Sequence, residues 1–155
     1  MAFTIPDGGT SRTITRAYVR QDGVTRAVKR IQVMDGGSLR TVATFADAMS
    51  VTVGGAVGNA YGSGPANVTT NNTTAVVTGG FSPYTYAWSL VSNGGGTAST
   101  ATNPTSATTA FQKVNVPQDA SYTDVWQVTV TDAVGSTATA ATSAQFSNFN
   151  FDGRS

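Results

Sequence analysis

Tyr84-Thr85-Tyr86-Ala87-Trp88-Ser89-Leu90-Val91 is the stretch on which the fold turns. Tyr84, Tyr86 and Trp88 recur at every second residue, the period of a β-strand, so the three side chains share one face. Large aromatics in that period read as the core face of a strand, with Trp88 as central anchor and Tyr86 beside it. Farther on, Trp126, Val128 and Val130 alternate in the same way, while Val125, Gln127 and Thr129 face the opposite side. Working outward, β-prone runs occur at Ser50–Val57, Asn67–Thr70, Thr73–Thr78, Tyr84–Val91, Thr108–Val116, Tyr122–Thr131 and Ser136–Phe146. Turn residues divide them: Asn71-Asn72, Gly79-Gly80, Asn93-Gly94-Gly95-Gly96, Pro117-Gln118-Asp119 and Asp132-Ala133-Val134-Gly135. With no helical period anywhere, this spacing predicts an antiparallel sandwich or barrel.

Charge divides the chain in two. Seven of its nine basic residues lie between Arg12 and Arg40, and no charged residue of either sign occurs from Ala48 to Gln112. The segment from Arg12 to Arg40 carries seven positive charges against Asp22 and Asp35, a net of +5. The expected organisation is a cationic docking module over residues 1–47, a sandwich over 48–148 and a C-terminal tail over 149–155. Alternating aromatics in Phe146, Phe149 and Phe151 suit a last strand, paired within the chain or with a neighbour.

The N-terminal segment repeats. An offset of 14 residues aligns Arg16 with Arg30, Val19 with Val33, Gly23 with Gly37, Arg26 with Arg40 and Val28 with Val42. Each copy holds an Asp-Gly pair, Asp22-Gly23 and Asp35-Gly36, between β-prone runs, which is a hairpin signal. The expectation is a three-stranded meander with strands near 12–20, 24–34 and 38–46. Ile14, Arg16, Tyr18 and Arg20 then share a face of the first strand, and Val24, Arg26, Val28 and Arg30 a face of the second. Three such strands bury too little apolar surface to be secure alone. The arginine rows read as solvated strand faces, as a dock for an acidic protein surface, or as a nucleic-acid contact; Arg16, Arg20, Arg26, Arg30 and Arg40 are the candidate docking residues. A modest +5, with no interleaved aromatics beyond Tyr18, argues against nucleic acid.

Chemistry is scarce. The chain has no Cys, no His and no Glu, which removes thiol nucleophiles, zinc sites, haem ligation and Ser–His–Asp triads. Its eight acids are all Asp, most in turn contexts, where a carboxylate accepts from nearby backbone N–H groups. Asp119 and Asp124 bracket a strand start without a second catalytic group, and Asp132 with loop oxygens makes a sparse calcium site or, on the simpler reading, a turn cap. No enzyme, cofactor or metal is expected. The N-terminus lacks a signal-peptide pattern, and no apolar run is long enough for a membrane helix, so no membrane association is expected. Asn71-Asn72-Thr73-Thr74 and Ser92–Thr100 suit either weak glycan contacts or an inert spacer, and Tyr61, in the linker-like 58–65 stretch, is either an exposed stacking ring or a packed loop aromatic.

Gly79-Gly80-Phe81-Ser82-Pro83-Tyr84-Thr85-Tyr86-Ala87-Trp88, followed by Val128-Thr129-Val130-Thr131-Asp132-Ala133-Val134-Gly135, resembles the polycystic-kidney-disease and related immunoglobulin-like domains. Ser89-Leu90-Val91 stands where that family continues with an Asp/Gly-rich loop. The stretch from Arg16 to Gly37 is similar to a segment of minor tail proteins of long-tailed bacteriophages. Together these resemblances imply an all-β chain in which a small N-terminal meander precedes an immunoglobulin-like antiparallel β-sandwich. They imply a structural virion protein of the tail or tail tip, made in the host cytoplasm and carried in multiple copies or as a homo-oligomer. Its partners would be other virion proteins and, through the sandwich, host-surface glycans. A capsid decoration or head-fibre protein, and a carbohydrate-binding adhesion module of a bacterial surface protein, are the alternatives.

Overall fold

A computed structural model of the chain describes residues 3–7, 10–14, 17–21, 24–28, 30–35 and 37–150. Every regular element among them is a strand, and the chain separates into two compact units, Met1–Ala48 and Met49–Ser155.

The first unit holds six strands, β1 (Phe3–Asp7), β2 (Thr10–Ile14), β3 (Ala17–Gln21), β4 (Val24–Val28), β5 (Arg30–Asp35) and β6 (Ser38–Thr44). They pair as three separate antiparallel hairpins, β1–β2, β3–β4 and β5–β6, not as the expected three-stranded meander. The reason is the short repeat. Paired ends at Asp7↔Thr10, Gln21↔Val24 and Asp35↔Ser38 each leave two residues between strands, which sets a tight hairpin every 14 residues (7 to 21 to 35). In the last of them Gly37 has φ +82°, a conformation that costs glycine little. The expected long strand over 24–34 is therefore split, with β4 ending at Val28 and β5 opening at Arg30.

The second unit is an immunoglobulin-like β-sandwich. One layer has the order β11 (Thr85–Ser92), β15 (Ala120–Thr131), β16 (Thr137–Phe149), β8 (Ala56–Tyr61). The other consists of two three-stranded ladders, β13 (Thr108–Thr109)–β10 (Thr73–Thr78)–β7 (Ser50–Val53) and β12 (Thr100–Ala101)–β14 (Phe111–Val116)–β9 (Ala66–Thr69). The ladders are joined where β9 runs on to β10 and β13 to β14. There the Thr70 amide donates to the Phe111 carbonyl at 2.9 Å, and the Phe111 amide donates to Thr70 Oγ1 at 3.0 Å.

Several sequence boundaries move. The expected strand Ser50–Val57 breaks at Gly54-Gly55, so β7 joins one layer and β8 the other. Residues 58–61, expected in a linker, belong to β8, which pairs with β16 in parallel, so this layer is mixed and not wholly antiparallel. Gly58 makes that course feasible: a Cβ there would lie 2.5 Å from the Thr69 carbonyl oxygen. The last strand runs through Phe149, into the segment expected as tail.

The core lies between the layers. Phe111, fully buried on β14, stacks on Trp126 at 4.8 Å and 26° and meets Trp88 edge-on at 5.6 Å and 73°. Both geometries suit the ring quadrupoles. Val68, Val116, Val128, Val130 and Phe146 complete the buried centre.

Candidate functional site

The three hairpins repeat in register as well as in sequence. Ile5 pairs with Arg12, Val19 with Arg26, and Val33 with Arg40. An apolar residue thus faces an arginine at the same rung of each hairpin, offset by 14 residues each time (12, 26, 40). The first hairpin is a third copy that sequence comparison passes over, because Ile5 and Ile14 replace valines, and Pro6 stands where the other copies have Arg20 and Met34. Of the expected docking residues, Arg20 lies on β3 opposite Thr25, Arg26 on β4, Arg30 at the start of β5 opposite Thr44, and Arg40 on β6. Arg30 is exposed, and Arg16 falls outside the described residues. The expected shared faces are not formed. Arg26 and Arg30 belong to different hairpins, as do Ile14 and the pair Tyr18 and Arg20, because no strand in this unit is long enough to carry a row.

In the sandwich, Trp88 and Trp126 are buried and Tyr86 packs on the edge of the same cluster, partly exposed. Each indole N–H is satisfied: Trp88 Nε1 donates to the Ser106 carbonyl at 2.9 Å, and Trp126 Nε1 to Ser99 Oγ at 3.0 Å. Burial with a satisfied N–H makes these rings structural anchors and leaves no face for a ligand.

Ser99 leads into a polar network that sequence reading missed. Its hydroxyl and backbone amide both donate to Asp124 Oδ2, and the Gly94 amide donates to Oδ1 at 2.9 Å. Lys113 Nζ reaches both Asp124 oxygens at 2.9 Å and the Asn93 side-chain carbonyl at 2.9 Å. Lys113 and Asp124 are 1% and 0% exposed, so the ammonium has no access to water and spends its donors inside, 5.4 Å from the Tyr122 ring centre and 5.6 Å from that of Phe146. Burial alone would raise the Asp124 pKa. The Ser99 hydroxyl, the Gly94 amide and the Lys113 ammonium outweigh it and hold the carboxyl below its ordinary range. Asp124 is thus no turn residue; it sits within β15, inward-facing and fully engaged. Gly94 cannot be replaced without moving this network, since a Cβ there would run into the Thr123 backbone.

Asp132 does take the expected turn role. Its Oδ1 accepts the Val134 and Ser136 amides at 3.0 and 2.8 Å, and Oδ2 accepts the Phe81 amide at 3.1 Å. Desolvation raises its pKa, and these backbone donors, Ser136 first, lower it by more. With both oxygens so used, and with no group of three acidic or metal-binding residues among the described residues, Asp132 serves the backbone.

The uncharged loops are similarly self-occupied. Asn71 Oδ1 accepts the Val57 amide at 2.7 Å, Thr73 Oγ1 donates to the Gly54 carbonyl at 2.7 Å, and Asn93 Nδ2 donates to the Gly96 carbonyl at 3.0 Å. Tyr61 is different. It stands at the end of β8, 65% exposed, with its ring centre 5.5 Å from that of Phe149, itself 44% exposed. No helix among the described residues is long and apolar enough to cross a membrane.

No family model and no curated protein matches the chain. Among solved structures it is similar to the PKD domain of human KIAA0319, at 19% identity over 68% of this chain and 88% of that one, with a TM-score of 0.43. It is also similar to a conjugative transposon lipoprotein from Bacteroides eggerthii, at 14% identity over 61% of this chain and 94% of that one, with a TM-score of 0.35.

Proposed function

We propose that this chain is a non-enzymatic structural protein of a bacteriophage virion, of the tail or tail tip, that docks through its hairpin unit and displays its immunoglobulin-like sandwich outward. The observation that carries this reading is the division of charge between the units. Seven basic residues lie between Arg12 and Arg40, five of them on strands of the repeated hairpins, whereas the stretch from 49 to 150 has one basic residue, Lys113, which is buried and paired inside. An acidic surface on a neighbouring virion protein is therefore drawn to the hairpin unit, and the sandwich has no competing cationic surface among its described residues. Two-stranded hairpins are marginal alone, which supports a role in which they are completed by a partner. The likeness of Arg16–Gly37 to minor tail proteins points the same way. Proteomics of density-purified particles tests it: the chain is expected at a fixed copy number per particle. Recovery only from the soluble or envelope fraction of the host, and never from particles, refutes it.

A further inference from the structure

The exposed aromatic pair lies on a face with a consistent chemistry. β8 runs parallel to β16 with Asn59 opposite Ser147 and Tyr61 opposite Phe149. On the other side of β16, Ser121 and Thr123 of β15 pair with Ser147 and Gln145. Asn59, Tyr61, Ser121, Thr123, Gln145 and Phe149 are all exposed, and none of them is an acidic or basic residue. Two rings and two carboxamides, one of each on β8 and β16, thus share one end of the outer sheet face with the hydroxyls of β15.

The rings are also held in place. The Gly62 amide donates to the Phe149 carbonyl at 3.0 Å, which ties the residue after one ring to the backbone of the other. Fully buried Asn148, next to Phe149, donates through Nδ2 to the Gly64 carbonyl at 2.9 Å and the Val116 carbonyl at 3.0 Å. The Asn150 amide donates to Asp119 Oδ1 at 3.0 Å, fixing the strand end. Exposed apolar rings leave unfavourable surface in water, and here these bonds tie down the strand ends that carry them.

We propose that the Tyr61–Phe149 face is a binding site for a neutral carbohydrate. The C–H faces of a pyranose ring are apolar and weakly positive, which suits the negative faces of aromatic rings. Its hydroxyls match uncharged amide and hydroxyl partners such as Asn59, Gln145 and Ser121, which donate and accept alike. Charge selects against the other polymers: a nucleic acid or anionic glycan needs cations, and among the described residues none stands on this face. Because the backbone that carries the rings is held before binding, little backbone ordering is needed to use them. The site does not depend on where the chain is mounted.

Affinity electrophoresis of the full chain tests this, in gels containing glucomannan, galactomannan, xylan, mixed-linkage β-glucan or dextran, with polygalacturonate as the anionic control. Retardation is expected in at least one neutral gel and none in polygalacturonate, and it should persist at high salt. Tyr61→Ala and Phe149→Ala should each weaken it about tenfold or more, the scale of one lost stacking ring. Val91→Ala, on the opposite edge strand, should leave it unchanged. Asn59→Ala and Gln145→Ala change side chains in the solvent, and a several-fold weakening in either supports the site even if a ring variant unfolds. Absence of retardation in every neutral gel overturns the proposal, as does retardation that both ring variants retain. It is also overturned if the ring variants only convert a dimer to a monomer in sedimentation, since a second copy then covers the face.

Discussion

The Phe81 amide donates to the Asp132 carboxylate at 3.1 Å, and the Ala133 amide donates back to the Phe81 carbonyl at 2.9 Å. Two segments about fifty residues apart, each part of the resemblance to immunoglobulin-like domains, are thereby latched together at one end of the sandwich. The same carboxylate organises the hairpin between β15 and β16, so one side chain sets both a turn and a long-range contact. Asp132→Ala should lower the thermal midpoint by several degrees, and Asp132→Asn by less, since an amide keeps one acceptor. Differential scanning calorimetry of the two variants gives the ranking; equal midpoints for wild type and Asp132→Ala would remove the latch from the account.

The Lys113–Asp124 pair gives a sharper contrast. Either single change, Lys113→Met or Asp124→Leu, leaves a buried charge without its partner and should cost about 3–5 kcal/mol. The double change to two apolar residues should recover most of that loss, because no charge then remains to be solvated. Denaturant unfolding of the four proteins closes the cycle, and additive single effects would show that the two groups are not coupled.

Acid should unfold the sandwich through the same groups. Asp124 and Asp132 both have folded-state pKa values below the ordinary carboxylate range, hence below their unfolded values. Above the unfolded value, about pH 4, both states are ionised and the full stabilisation is present; as pH falls through the folded values, the unfolded state binds protons first and stability is lost. Unfolding midpoints should be flat from pH 7 to about pH 5 and fall below about pH 4. Asp124→Asn should flatten that fall, and an unchanged acid limb in this variant would contradict the assignment.

The aromatic core predicts its own hierarchy. Phe111 joins both tryptophans, so Phe111→Ala and Trp88→Ala should each cost about 3–5 kcal/mol, whereas Tyr86→Ala, at the edge of the cluster, should cost less. Near-normal stability of Trp88→Ala would mean that the ring is not central.

Legibility in the sequence follows the range of the interactions. The period-2 aromatics at Tyr84, Tyr86 and Trp88, and the alternation around Trp126, are local signals, and they place the inner face of β11 and β15 correctly. The sheet switch at Gly54-Gly55, the parallel pairing of β8 and the position of Phe111 depend on segments far apart in the chain, where local periodicity carries no information. The sequence places Asp124 near a strand start and leaves its burial unread, because a carboxylate has no sequence mark of burial; its partners Lys113, Gly94 and Ser99 meet it only in the fold. In the hairpin unit, the 14-residue offset was visible in two copies, but strand length was not, and the arginine rows expected on long strands are split between separate hairpins, with Arg26 on β4 and Arg30 on β5. Tyr61 is legible as a candidate stacking ring and Phe149 as part of an aromatic last strand, whereas their pairing is not, since it rests on the parallel register of β8 and β16.

The claim that the hairpin unit docks the chain to a particle is tested most directly by replacing the register-equivalent arginines Arg12, Arg26 and Arg40 with serine in the full chain. The measurement is the copy number of the variant on purified particles, beside the wild type. The account predicts a severalfold loss of incorporation, increasing with the number of arginines replaced, while the sandwich keeps its wild-type thermal midpoint. Unchanged copy number for the triple variant, with the same salt dependence as the wild type, would contradict it.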